Sequence, residues 1–381
     1  MKIIYLLGAG ASYNSIPTIK GDENRSSLVD YIYETLLSFT HSNGVFNNFE
    51  ESNESKELFE FARNEGLYTA TQFREYGTPD TYARSLYLKG VQHTKDYDNI
   101  RVTLSLFFVL WKFEKQNLFT RIGDFISLPD TRPLNYHFEG NDSRYTSFFA
   151  SILNPGKGVP SFPDNLKILT WNYDSEIEDV LLKYFLRRSP NLQMLNTVFN
   201  LSNFHENENL INKNIIKLNG NYYDVNEPID NSFSSIIDSE NDELIINMNQ
   251  SLHRFNTLLL KRKYRPTIQF SWDNLNYEFS NLPNDEKITI NFKSLENILH
   301  EAERLIIIGY SFPIFNREMD SFMIRSFLGS KPDMKAIHIQ NTENSMDGIK
   351  QRIRALSGYY GKLNFQEHLG LDEFYIPFEF N

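Results

Sequence analysis

The chain has 381 residues, a formal net charge of −11, 40% hydrophobic and 14% aromatic residues, and no cysteine. That length provides for two domains or one elaborated domain with an ample core, and the acidic balance argues against duplex DNA as a direct partner. The absence of cysteine removes disulfides, thiolate nucleophiles and cysteine zinc sites. The N-terminus lacks the pattern of a signal peptide, and no stretch approaches about eighteen uninterrupted apolar residues, so the expectation is a soluble cytoplasmic protein with no membrane partner. The basic strip from Lys261 to Arg265 reads as a solvated face.

Residues 2–7 form a short apolar run that breaks into Gly8-Ala9-Gly10-Ala11-Ser12. Such a run before glycines reads as a buried parallel strand followed by a phosphate-binding turn, in which the missing Cβ atoms let a pyrophosphate approach the backbone N–H groups. A dehydrogenase-type turn needs a small residue at the sixth position, where this chain has Tyr13, and an acidic strand end about twenty residues on, where residues 27–39 read as a helix.

Helical spacing recurs over residues 25–39, 56–64, 78–89, 101–115 and 145–153, with an Asn/Ser/Gly-rich loop at 41–54. The proline- and glycine-rich stretch 154–163 closes a largely helical insertion, residues 22–160. Four more apolar runs follow. Residues 166–170 end in Trp171-Asn172-Tyr173-Asp174 before a helix at 175–185, and residues 215–218 end in Asn219-Gly220-Asn221. Residues 305–308 end in Gly309-Tyr310-Ser311, and residues 336–340 end in Asn341-Thr342-Glu343. A smaller insertion at 225–300 carries helices near 244–261 and 294–304. The reading is an α/β fold, a Rossmann-like parallel sheet flanked by helices, built from residues 1–21 and 161–381. In such a sheet the polar clusters at the strand ends converge on one crevice.

The order Gly-Ala-Gly-Ala-Ser with Ile16-Pro17, Thr-Trp-Asn-Tyr-Asp, Gly-Tyr-Ser and a final asparagine resembles the sirtuin-like (silent-information-regulator) family. The resemblance implies NAD as ligand or substrate. It implies that Gly8, Ala9, Gly10 and Ser12 attend the pyrophosphate, that Gly309, Ser311 and Asn341 hold phosphate and ribose, and that Asn172 and Asp174 attend the scissile nicotinamide bond. The helical insertion and the missing four-cysteine zinc module look more like the bacterial NAD-hydrolysing antiphage proteins than like deacylases. That implies an oligomer and a defence partner such as a translocating ATPase or an Argonaute-like protein. One position departs: the family's Lys-Leu-His-Gly is Lys217-Leu218-Asn219-Gly220 here, and an amide holds a ribose hydroxyl but takes no proton. His205 is the nearby histidine considered as a replacement, and reads as a surface residue. Two functions stay open: an NAD glycohydrolase, and a catalytically impaired NAD or ADP-ribose-binding module.

Overall fold

The computed structural model describes residues 1–18, 26–41, 53–90, 95–114, 142–156, 160–185, 195, 198–204, 209–220, 268–273 and 286–378. Within them lies a seven-stranded sheet in which every pairing is parallel. Its strands are β1 (Ile3–Leu7), β2 (Leu166–Thr170), β3 (Leu201–Asn203), β4 (Ile215–Lys217), β5 (Arg304–Ile308), β6 (Ala336–Gln340) and β7 (Asn364–His368). The order across the sheet is β3-β4-β2-β1-β5-β6-β7.

All five apolar runs become strands, and their polar ends share one edge. β1 is central, paired with β2 on one side and β5 on the other, so the glycine turn does not follow an edge strand. The chain fills one side of β1 with β2, β3 and β4 and then crosses to β5, which makes the carboxyl ends of β2, β1 and β5 the switch point where open α/β sheets bind ligands. Two strands went unread. β3 is three residues long, and β7 (Asn-Phe-Gln-Glu-His) lies at the sheet's edge and has no apolar run.

Between β1 and β2 the described residues are helical: α1 (Leu28–His41), α2 (Asn53–Phe61), α3 (Leu67–Tyr76), α4 (Pro79–Leu88), α5 (Lys95–Glu114) and α6 (Ser143–Ile152). Of these α3 was not expected. It is offset from α2 by a wide turn at Ala62–Gly66 and stopped by Gly77 at φ 79°. The short α7 (Glu176–Val180) follows β2, α8 (Glu286–Glu301) precedes β5, α9 (Arg317–Leu328) joins β5 to β6, and α10 (Glu343–Ser357) joins β6 to β7. The helix expected near 244–261, the Lys261 to Arg265 strip, His205 and most of the 225–300 insertion lie outside the described residues.

The period of two in β1 sorts the core into two layers. Ile3, Tyr5 and Leu7 face the helices of 28–152, sharing a cluster with Tyr31, Phe39, Phe107, Trp111 and Phe148. Ile4 and Leu6 face the other way, with Phe292, Met323, Ile349, Leu305 and Ile307 of β5, and Ile337 and Ile339 of β6. Burial on both faces is what an all-parallel sheet requires, and it explains the continuous apolar runs. The helical insertion therefore completes the sheet's own core on one face.

Candidate functional site

The turn after β1 runs directly into a short 3-10 turn, Ala9–Ser12. The Gly8 N–H donates to the Ile308 carbonyl at 3.0 Å, the Gly10 N–H to the Gly309 carbonyl at 3.0 Å, and the Ala11 N–H to the Gly8 carbonyl at 2.8 Å. A Cβ at Gly8 would lie 2.7 Å from Tyr310, and one at Gly10 would lie 2.8 Å from the Gly309 Cα. The glycines are thus required by turn-on-turn packing between β1 and β5. The pyrophosphate cradle expected at Gly8 and Gly10 is not formed by those two N–H groups, because both donate inside the fold. Ala9 is exposed at the tip of the turn, and Ser12 is buried behind it.

The loop after β2 lies against this turn. Asn172 Nδ2 donates to Ser12 Oγ at 3.1 Å, and Ser12 Oγ shares a hydrogen bond of 3.3 Å with the Tyr145 hydroxyl from α6. Asp174 is buried, and its Oδ1 accepts the Glu176 N–H at 3.0 Å. Lys217, at the end of β4, donates to the Asp174 carbonyl and, at 2.8 Å, to Glu178 Oε1. Burial is the largest influence on Asp174 and pushes its carboxyl up to about 6, the negative Glu176 and Glu178 adding to it while Lys217 and the Glu176 N–H oppose. At neutral pH it is chiefly a carboxylate, able to receive a proton.

Asn219 sits at the end of β4, beside this loop. Its Nδ2 donates to the Trp171 carbonyl at 3.3 Å. Among the described residues its buried Oδ1 meets no donor, and the buried Trp171 indole N–H meets no acceptor. Both residues are 5% exposed. Trp171 stacks on Tyr310 with ring centroids 5.9 Å apart, and the Tyr310 hydroxyl is held by Asp320 and by Asn316 Nδ2, each at 2.9 Å. Segment 268–273 spans the same edge, with the Gln269 N–H on the Asn219 carbonyl at 2.9 Å and Ser271 on the Phe315 carbonyl at 3.0 Å. Asp80, at the start of α4, lies 3.5 Å from the Tyr173 hydroxyl, and burial pushes its carboxyl up to about 6.

The structure therefore brings together Gly8, Ala9, Gly10, Ser12, Asn172, Asp174, Asn219 and Gly309. Ser311 and Asn341 lie on the same sheet edge, after β5 and β6, and their hydrogen bonds run to other groups. Ser311 is exposed, its carbonyl bound by Arg352, and Asn341 Oδ1 accepts the Thr342 N–H at 2.9 Å just ahead of α10. Five residues went unread: Asp80, Asp142, Arg144, Tyr145 and Glu176. Glu176 was legible as a carboxylate close to Asp174. The other four come from the helical insertion, where no local pattern distinguishes a buried charge from a solvated one. Among the described residues no group of three or more His, Asp or Glu side chains is arranged to hold a metal ion, and no helix is long and apolar enough to cross a membrane. No protein-family model matches the chain, and no curated protein matches it in sequence.

Proposed function

We propose that the strand-end cleft binds NAD and hydrolyses its nicotinamide–ribose bond, giving nicotinamide and ADP-ribose. The observation that supports this reading is a pair of buried polar atoms at the ends of β2 and β4, Trp171 Nε1 and Asn219 Oδ1, that meet no partner among the described residues. A buried donor and acceptor left unmade cost about 1–3 kcal/mol each, and a polar ligand at the strand ends relieves both. In hydrolysis the C1′–N bond breaks with its electron pair leaving on the nicotinamide nitrogen, which becomes neutral. Water forms the new C1′–O bond and gives up a proton. Asp174 is the group with the charge and pKa to stabilise the cationic ribose and accept that proton, while Asn172 and Asn219 hold hydroxyl groups in place. Unchecked loss of NAD is lethal to the host. An effector of this kind therefore acts under control, by self-assembly or through a sensing partner such as a translocating ATPase or an Argonaute-like protein in antiphage defence.

A second reading, a binding module for NAD or ADP-ribose, is favoured by Asn219 itself, which puts an amide where the resembled family has its titratable base. Nicotinamide release from NAD by the purified protein, alone and with the products of neighbouring genes, decides between them. Release supports the hydrolase; calorimetric binding of NAD without release supports the module. Neither binding nor release rejects both.

A further inference from the structure

Residues 142–145 reach the site from the far end of the helical insertion and touch both of its halves. On one side Arg144 Nη2 donates to the Ala11 carbonyl at 3.0 Å, while its Nε donates to Asp142 Oδ1 at 2.9 Å. On the other the Asp142 N–H donates to Glu176 Oε2 at 3.3 Å, and the Glu176 N–H donates in turn to Asp174. Tyr145 completes the arrangement. Its ring is fully buried, edge-on to Phe374 at 4.9 Å and stacked along Phe149 at 6.3 Å, which fixes where its hydroxyl points. That hydroxyl meets Ser12 Oγ, the same oxygen that accepts from Asn172 Nδ2.

The consequence lies in the orientation of one amide. A primary amide presents a donor at one end and an acceptor at the other. With Nδ2 bound to Ser12, Asn172 turns Oδ1 away from Ser12. A serine hydroxyl held by one neighbour only can rotate, and the amide resting on it can then turn over. When the Ser12 hydroxyl donates to Tyr145, its oxygen is left to accept, and an acceptor there matches Nδ2 of Asn172 and not Oδ1. We propose that Tyr145 is a positioning residue that acts through Ser12 to hold Asn172 with its carbonyl oxygen facing the ligand, so that the helical insertion orients the site's central amide. This rests on the NAD reading given above.

The test is a double-mutant cycle on nicotinamide release. Tyr145→Phe keeps the ring and removes the hydroxyl; Ser12→Ala removes the hydroxyl it meets. Each is expected to lower kcat about tenfold with KM within about twofold of the parent, the signature of a lost orientation in the reacting state. The double variant is expected to be no slower than Ser12→Ala, since neighbours that act through one another are not additive. Ser12→Ala changes little volume, so the proposal stays testable if Tyr145→Phe folds poorly: parental kcat in Ser12→Ala overturns it. Parental kcat in Tyr145→Phe, or additive losses in the double variant, also overturns it and leaves the hydrolase reading intact. If the parent binds NAD without cleaving it, there is no reacting state for the amide to be oriented in, and the proposal is overturned. A parent that neither binds nor cleaves NAD defeats the functional reading, and this proposal with it.

Discussion

Gly10 and Gly309 meet backbone to backbone: the Gly10 N–H donates to the Gly309 carbonyl at 3.0 Å, and a Cβ on Gly309 would lie 2.4 Å from the Gly10 carbonyl carbon. Gly309 also has φ 61°, a conformation that side chains resist. Two turns from opposite sides of the switch point are thus locked by having no side chains. Gly309→Ala and Gly10→Val should each lower stability by on the order of 1–3 kcal/mol or more through overpacking. Chemical denaturation checks this, and parental midpoints in both variants would show that the turns separate easily. A failure of Gly10→Val to bind NAD therefore does not by itself assign the turn to the pyrophosphate, since the same change is expected to disturb the fold.

The sequence made the sheet legible because parallel strands buried on both faces must be apolar throughout, as in residues 3–7 and 305–308. It made the strand-end cluster legible because α/β topology brings polar ends to one edge. The glycines show where this reasoning stops. A Gly-X-Gly turn has the same composition whether its bare backbone faces a phosphate or another turn, and only the register of β1 against β5 distinguishes them. The part of the site supplied by Asp142, Arg144 and Tyr145 was hidden for a related reason. Their contacts with Ala11, Ser12 and Glu176 span long stretches of chain, and periodicity reports only local faces.

Asp174 gives a prediction in pH. A carboxyl raised in the folded state favours folding through its protonated form; that contribution is complete below the ordinary value of 3.8 and fades as the pH climbs through about 6. At pH 8 the parent therefore carries an ionised, buried carboxylate at a cost on the order of 3 kcal/mol. Asp174→Asn removes that charge and keeps an oxygen for the Glu176 N–H. It should be more stable than the parent at pH 8, with the advantage shrinking towards pH 5. In a hydrolase the same variant should lose about a hundredfold or more in turnover. Melting curves at both pH values and nicotinamide release measure the two effects; a less stable Asp174→Asn at pH 8 refutes the first.

Lys217 and Glu178 form an ion pair buried to 1% exposure on both sides, directly beneath the Asp174 carbonyl. Removing one partner leaves a buried charge without its counterion, so Lys217→Met should cost about 3–5 kcal/mol. The double change Lys217→Met, Glu178→Leu should recover most of that loss. Urea denaturation of the three variants tests it, and a double variant as unstable as the single one would mean that Lys217 acts chiefly on the carbonyl. Because Lys217 pulls the Asp174 carboxyl down more than Glu178 pushes it up, any pH dependence of turnover that survives in the double variant should move to higher pH.

Asn219 separates a residue kept for the fold from one kept for a ligand. As a fold residue it contributes one hydrogen bond of 3.3 Å to the Trp171 carbonyl, and it carries a buried Oδ1 that meets no donor among the described residues. The bond stabilises by about 1 kcal/mol, and the unmet oxygen costs a similar amount. Asn219→Leu removes both at nearly the same volume, so its stability should stay within about 1 kcal/mol of the parent, a change of about 2 °C in melting temperature for a chain of this size. Its response to NAD should differ sharply, because the acceptor that the ligand would satisfy has gone. The parent should gain melting temperature with NAD, and Asn219→Leu should gain little. Asn219→His tests the chemistry at the same position: it supplies a group able to take a proton from a ribose hydroxyl, and should raise nicotinamide release above the parent's rate. A large loss of stability in Asn219→Leu with an unchanged NAD response would show that this asparagine serves the fold, and would remove the main support for a ligand at the ends of β2 and β4.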